Sequence, residues 1–167
     1  MPISQGLMAA ILSMDAYNRG YGAGIKGLSD NQSTGIGDAN VTTTSTSALI
    51  DPVTGQPVDK TAGFYAVAYN WNGQTVISYR GTDNAAPTGA SDITKGGSDF
   101  WNGWTLSAGF SGASQVVLAE QFYAAATGLD PFAGGAPSNV VLTGHSLGGG
   151  LAGADYRRTS RQHRMAA

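Results

Sequence analysis

Leu7, Met8, Ile11, Leu12 and Tyr17 recur at the three- and four-residue spacing of one helix face, and Ser4 stands where a cap belongs. The pattern predicts a helix from about Ser4 through Arg19 whose apolar stripe packs on the rest of the domain. From Gly20 to Gly63 that periodicity is lost. Gly, Ser, Thr, Asp and Asn dominate, with Pro52 and Pro57, which predicts long loops and one short Thr-rich strand around Val41 to Thr46. Regular order returns in two apolar runs, Phe64-Tyr-Ala-Val-Ala-Tyr-Asn70 and Thr75-Val-Ile-Ser-Tyr-Arg80, on either side of Trp71-Asn-Gly73. Two such runs around an Asn-Gly pair predict a β-hairpin.

Gly81 to Leu106 reads as a long Gly-rich connection holding Phe100, Trp101 and Trp104, and large aromatics in such a loop need either a core or a partner. Beyond it, Ser111 to Thr127 predicts a helix with Val116, Val117, Phe122 and Tyr123 as its apolar stripe. Gly128 to Pro137 is a turn, Asn139 to Thr143 a buried strand, and Leu147 to about Arg158 a further helix. Strand, helix, strand, helix is the order of an α/β sheet with parallel pairing in its second half.

Composition narrows the class. A chain of 167 residues is enough for one domain, at about 100 to 200 residues per domain. With 41% hydrophobic and 12% charged residues, it reads as globular with a neutral, small-residue surface rather than as disordered. No apolar run approaches the roughly 18 residues of a membrane span, and no basic-then-apolar leader opens the chain, so the cytoplasm or secretion by a signal-less route is the expected location. There are no cysteines, and the two histidines lie far apart, which excludes a thiolate metal site and disfavours any other; no cofactor is expected. Gly22-Ala-Gly-Ile-Lys-Gly27 fits a nucleotide-loop pattern but follows a helix instead of a strand.

The net charge of −2 is unevenly spread: residues 1–154 carry five basic and ten acidic side chains, whereas 155–167 carry four Arg and one Asp. The break divides the chain into a domain at 1–154 and a basic tail at 155–167 that looks foreign to it. Four Arg with one Tyr are too few for a nucleic-acid interface, so no nucleic-acid partner is expected.

The chemistry concentrates in Val140-Val-Leu-Thr-Gly-His-Ser-Leu-Gly-Gly-Gly150. Gly-x-Ser-x-Gly between a strand and a helix is the pattern of a nucleophile elbow, in which Ser146 stands on a sharp turn at the sheet's carboxyl edge and the amide of Leu147 faces the substrate oxygen. In a chain with 25 glycines the pattern alone is a modest signal, and its alternative is a glycine-rich turn. The preceding Val-Val-Leu-Thr and the helix that follows favour the elbow.

Val-Val-Leu-Thr-Gly-His-Ser-Leu-Gly-Gly-Gly-Leu-Ala152 resembles the nucleophile block of the class 3 lipases, the fungal triacylglycerol-lipase type of α/β-hydrolase. Ile77-Ser-Tyr-Arg-Gly-Thr-Asp83 is similar to that family's strand-end Arg-Gly-Ser/Thr motif, and Ser107-Ala-Gly-Phe110 to its Gly-Phe block. The resemblance covers roughly residues 62–153. It implies a partial α/β-hydrolase sheet running through the elbow, hydrolysis of lipid or small carboxylic esters, and Ser146 as nucleophile with Thr82 and Leu147 as the oxyanion hole. It also implies that His145 is structural and that the Phe100/Trp101/Trp104 loop is a lid for a lipid–water interface.

Such a nucleophile needs an Asp or Glu and a His later in the chain. Only Asp155 and His163 follow, nine and seventeen residues after Ser146, too close to come from later strands. The expectation is therefore a C-terminally truncated lipase-like domain of doubtful activity. Its alternative is a non-catalytic module that binds acyl chains or a partner, or oligomerises through an exposed edge of the sheet.

Overall fold

Asn72 and Gly73, at φ 52° and 75°, fold the most apolar part of the chain back on itself. Positive φ at both central residues is the condition for a two-residue type I′ turn. In the computed structural model, which describes residues 3–21, 34–59, 62–81, 112–131 and 137–153, this turn joins β3 (Ala66–Trp71) to antiparallel β4 (Gln74–Tyr79). Trp71, expected in the turn, is instead the last strand residue. Its ring is buried and its Nε1 donates to Asp38 Oδ1 at 3.1 Å.

On the N-terminal side of this hairpin lie β1 (Gly35–Ile36) and β2 (Ala39–Thr44), both antiparallel to their neighbours; on the other lies β5 (Val140–Gly144), parallel to β4 from Thr75↔Val140 to Tyr79↔Gly144. The sheet order is therefore β1-β2-β3-β4-β5, a mixed α/β sheet with its parallel pair in the second half. Parallel neighbours need a crossover, and helix α3 (Gly112–Thr127) falls between β4 and β5 in the chain.

The central strands are covered on both faces, which explains their near-continuous apolar sequence. Ala66, Ala68, Ile77 and Tyr79 pack with Ala119, Phe122 and Tyr123 of α3 and with Leu151 and Ala152 of a short helix, α4 (residues 147–153). Val67, Tyr69, Trp71 and Val76 point the other way, onto Met8, Leu12 and Ala16 of helix α1 (Gln5–Tyr21). Leu7 and Val117, expected in the helix stripes, are instead 56% and 47% exposed, because each helix buries a narrower face than its apolar pattern covers.

Polar groups fix where α1 lies on the sheet. Ser78 Oγ donates to the Leu12 carbonyl (3.0 Å) and Thr143 Oγ1 to that of Ala9 (3.1 Å). Asp15, buried, accepts from Tyr69 Oη at 2.8 Å and pairs with Arg19. The Arg19 pair lies within α1, and the hydrogen bond from Tyr69 ties the helix to β3, on which it also packs.

The segment expected to be mostly loop is more ordered than its composition implies. After β2, Thr44 caps the single turn α2 (Ser45–Ala48) through a capping box with Ser47. Buried Asp59 accepts from Ser45 Oγ (2.8 Å) and Thr46 Oγ1 (2.6 Å), closing the following loop onto that turn. The Thr-rich strand ends at Thr44, and of the hydroxyls beyond it Ser47 completes the cap while Ser45 and Thr46 bind Asp59. Among the described residues no helix is long and apolar enough to cross a membrane. The glycine motif at 22–27, the 155–167 tail and the part of the last helix beyond 153 lie outside the described residues.

Two buried tyrosines, Tyr69 in β3 and Tyr65 just before it, are held neutral. Burial, reinforced by the Asp15 charge, raises Tyr69 far above its ordinary value, and burial pushes Tyr65 up from 10 to about 12. A proton held more tightly in the folded state stabilises it fully below pH 10, and that contribution is lost as pH rises from 10 through 12. Alkaline titration followed by phenolate absorbance and circular dichroism is expected to show late-titrating tyrosines ionising together with loss of the fold, and Tyr65→Phe to move that transition to higher pH. Complete phenolate formation near pH 10 with the fold intact would contradict this assignment.

Candidate functional site

The parallel register brings the carboxyl ends of β4 and β5 to one level, Tyr79 beside Gly144, and the chain leaves both at the same edge of the sheet. From β5 it turns sharply through His145 and Ser146 into α4. Gly144 and Gly148 make this turn possible. A Cβ on Gly148 would lie 2.8 Å from the Tyr79 carbonyl carbon and 2.9 Å from that of Arg80, and one on Gly144 would lie 2.8 Å from the Gly149 nitrogen. Those are backbone atoms that cannot step aside, so only glycine fits at either position.

Ser146 stands at the apex with φ 56°; among the described residues the only other non-glycine at positive φ is Asn72 of the hairpin. For an L-residue the left-handed region costs about 1–2 kcal/mol. Here it is held by its surroundings: Gly148 N donates to the His145 carbonyl (3.0 Å), and Gly149 N and Gly150 N to that of Ser146 (3.1 and 3.3 Å). Strain of this kind persists where neighbouring structure imposes it, and such places are often functional. The Ser146 side chain is exposed, and Leu147 is half-buried directly after it.

The end of β4 presses against this turn. A Cβ on Gly81 would lie 2.5 Å from the His145 carbonyl oxygen and 3.1 Å from Ser146 Cβ, and would also clash with the Tyr17 hydroxyl. Tyr17, at the C-terminal end of α1, shares a hydrogen bond of 3.2 Å with His145 Nδ1, and the two rings meet edge to face at 6.0 Å. The Arg80 guanidinium, on a residue only 4% exposed, lies 5.9 Å from the Tyr17 ring centre, and the Arg80 amide donates to the Tyr65 carbonyl at 2.9 Å.

Of the residues singled out in the sequence, Ser146 and Leu147 are brought to one turn beside Gly81. Thr82 is the next residue along the chain from Gly81 and lies outside the described residues, as do Asp155, His163 and the Phe100, Trp101 and Trp104 loop. Helical spacing places Tyr17 in an apolar stripe and gives it no partner, and Arg80 enters only as part of a motif. The available signal was the hydroxyl of Tyr17, a polar tip on an otherwise apolar face that needs a hydrogen-bond partner.

An open cavity of about 710 Å³ runs along β5 between Tyr123 of α3 and Gly149, Ala152 and Gly153 of α4. Its floor is Val140 to Gly144, two residues short of Ser146, and Ser138 and Thr143 line it together with Val140, Val141 and Leu142. Among the described residues no cluster of three or more His, Cys, Asp or Glu is placed to hold a metal ion.

The left-handed backbone at Ser146 makes a direct prediction. Ser146→Gly relieves it and Ser146→Ala does not, so the glycine variant is expected to be more stable than the alanine variant by about 1 kcal/mol in denaturant unfolding. Equal stabilities would mean that the turn is unstrained. No protein-family model matches the chain, and no curated protein or solved structure matches it either.

Proposed function

We propose that the chain is a serine ester hydrolase of the lipase/carboxylesterase type, built as the first half of an α/β-hydrolase sheet and resembling the class 3 lipases. The observation that carries this reading is Ser146 at φ 56° on a glycine-lined strand-to-helix turn, against the end of the strand that bears Arg80-Gly81. That is the placement a nucleophile elbow requires. Ser146 Oγ attacks the acyl carbon of a carboxylic ester, the carbonyl electrons move onto oxygen, and the amides of Leu147 and Thr82 take up the negative charge. The proton that Ser146 Oγ gives up passes to the leaving oxygen as collapse expels the alcohol, and water then releases the acid from the acylated serine and returns a proton to Oγ.

The weak element is the base. His145 adjoins the nucleophile, but its ring is hydrogen-bonded to Tyr17, which leaves Asp155 and His163 as the sequence candidates for the Asp–His pair. Oxyanion stabilisation and binding alone leave roughly 10³ to 10⁴ over the reaction in water when triad members are removed. The expected activity is therefore slow turnover of activated or short-chain esters, with lipid esters as the wider substrate class.

A second reading has one observation in its favour. In the order of the described strands β5 lies at the sheet's end, with the open cavity along it. A strand at the end of a sheet can pair with another chain, which fits a non-catalytic, oligomerising or acyl-binding module. Hydrolysis of p-nitrophenyl butyrate separates the two readings. The hydrolase reading predicts a protein-dependent rate that falls at least about tenfold in Ser146→Ala. Equal rates in the two proteins, with concentration-dependent oligomers in light scattering, would replace it with the second.

A further inference from the structure

We infer that Tyr17 is a positioning residue for Ser146, acting through the side chain of His145. This rests on the reading of Ser146 as nucleophile and adds to it a control exerted from the N-terminal helix. His145 plays two parts in the turn: its carbonyl accepts the Gly148 amide that closes the bend, and its ring is held by the Tyr17 hydroxyl at 3.2 Å. Whatever restrains that ring also restrains the peptide that leads into Ser146. The same hydroxyl lies against Gly81, where the phenol, the His145 carbonyl and Ser146 Cβ crowd the space a side chain would need. Tyr17 thus touches both strand ends that form the turn.

The phenol is well placed to transmit restraint because its own helix is fixed. Two positions before it, Asp15 binds Tyr69 of β3 and pairs with Arg19; Leu12 and Ala9 accept from Ser78 of β4 and Thr143 of β5. Across its ring, Arg80 belongs to the strand end itself. A hydroxyl at the end of a helix that needed only a polar outlet could take one from water. This one is directed at the residue before the serine.

Removing the hydroxyl while keeping the ring preserves the packing and the Arg80 contact and releases His145. A nucleophile loosened at its turn loses alignment in the transition state more than it loses ground-state binding. With p-nitrophenyl butyrate, Tyr17→Phe is expected to lower kcat by between about 10- and 100-fold, with KM changed less than about twofold. His145→Ala, changed at an exposed position, is expected to lower kcat to a similar degree, and the double variant no further. The imidazole nitrogen resonance that vanishes in His145→Ala is expected to shift in Tyr17→Phe, a response that general destabilisation would not confine to one ring.

An unchanged kcat in either variant, additive losses in the double variant, or an unmoved His145 resonance would overturn the positioning role. If Tyr17→Phe fails to fold, His145→Ala decides alone: a lower kcat at constant KM supports the role, and a wild-type kcat ends it. If wild type and Ser146→Ala hydrolyse the ester equally, the nucleophile reading itself falls and the positioning role with it. That outcome is distinct from an active wild type that Tyr17→Phe leaves unaffected.

Discussion

The backbone approach between Gly148 and the end of β4 is the contact on which the candidate site depends. Carbonyl carbons of Tyr79 and Arg80 lie where a side chain on residue 148 would begin, and Gly149 does the same to residue 144. Because these neighbours are main chain, relaxation cannot make room, and any side chain would have to push the first turn of α4 away from the sheet. Keeping that turn tight is what carries Ser146 out over the edge of the sheet and holds it in left-handed geometry. The cost of that geometry, about 1–2 kcal/mol, is small against the burial of the Leu151 and Ala152 face that the same helix contributes to the core.

The rest of the fold serves that contact by keeping β4 and β5 level. Parallel pairing sets Tyr79 beside Gly144, and the two cores above and below the sheet hold both strands flat between α1 on one side and α3 and α4 on the other. Helix α1 does more than cover a face. Its carbonyls receive hydroxyls from both strands, its Asp15 reaches Tyr69, and Tyr17 at its far end meets His145. Sheet, helix and turn are thereby coupled through residues between 54 and 134 positions apart in the chain.

That separation explains how much could be read in advance. Local signals were legible: Ser4 Oγ accepts from the Leu7 amide at the start of α1, Asn72-Gly73 makes the hairpin, and apolar runs give β4, α3 and β5. The elbow sequence led directly to a strand, a turn and a helix. The Thr-rich run around Val41 to Thr46 also led to a strand, β2, but it carries no apolar alternation, so its bounds at Ala39 and Thr44 are set by pairing of Asn40, Val41, Thr43 and Thr44 along β3. Tyr17 looked like a stripe residue because its partner, His145, is invisible to periodicity. The ligand-facing elements inferred from resemblance, Thr82, Asp155, His163 and the aromatic loop, lie outside the described residues, so geometry speaks only for the Ser146 side of the site.

The claim that Ser146 is a nucleophile is tested most directly by its reaction with an alkyl fluorophosphonate, followed by peptide mass mapping. In that reaction the serine oxygen bonds to phosphorus, and fluoride and the hydroxyl proton leave. The account predicts a single adduct on the peptide containing Ser146, absent from Ser146→Ala. No adduct on the wild-type protein, or equal modification of the alanine variant, would contradict it.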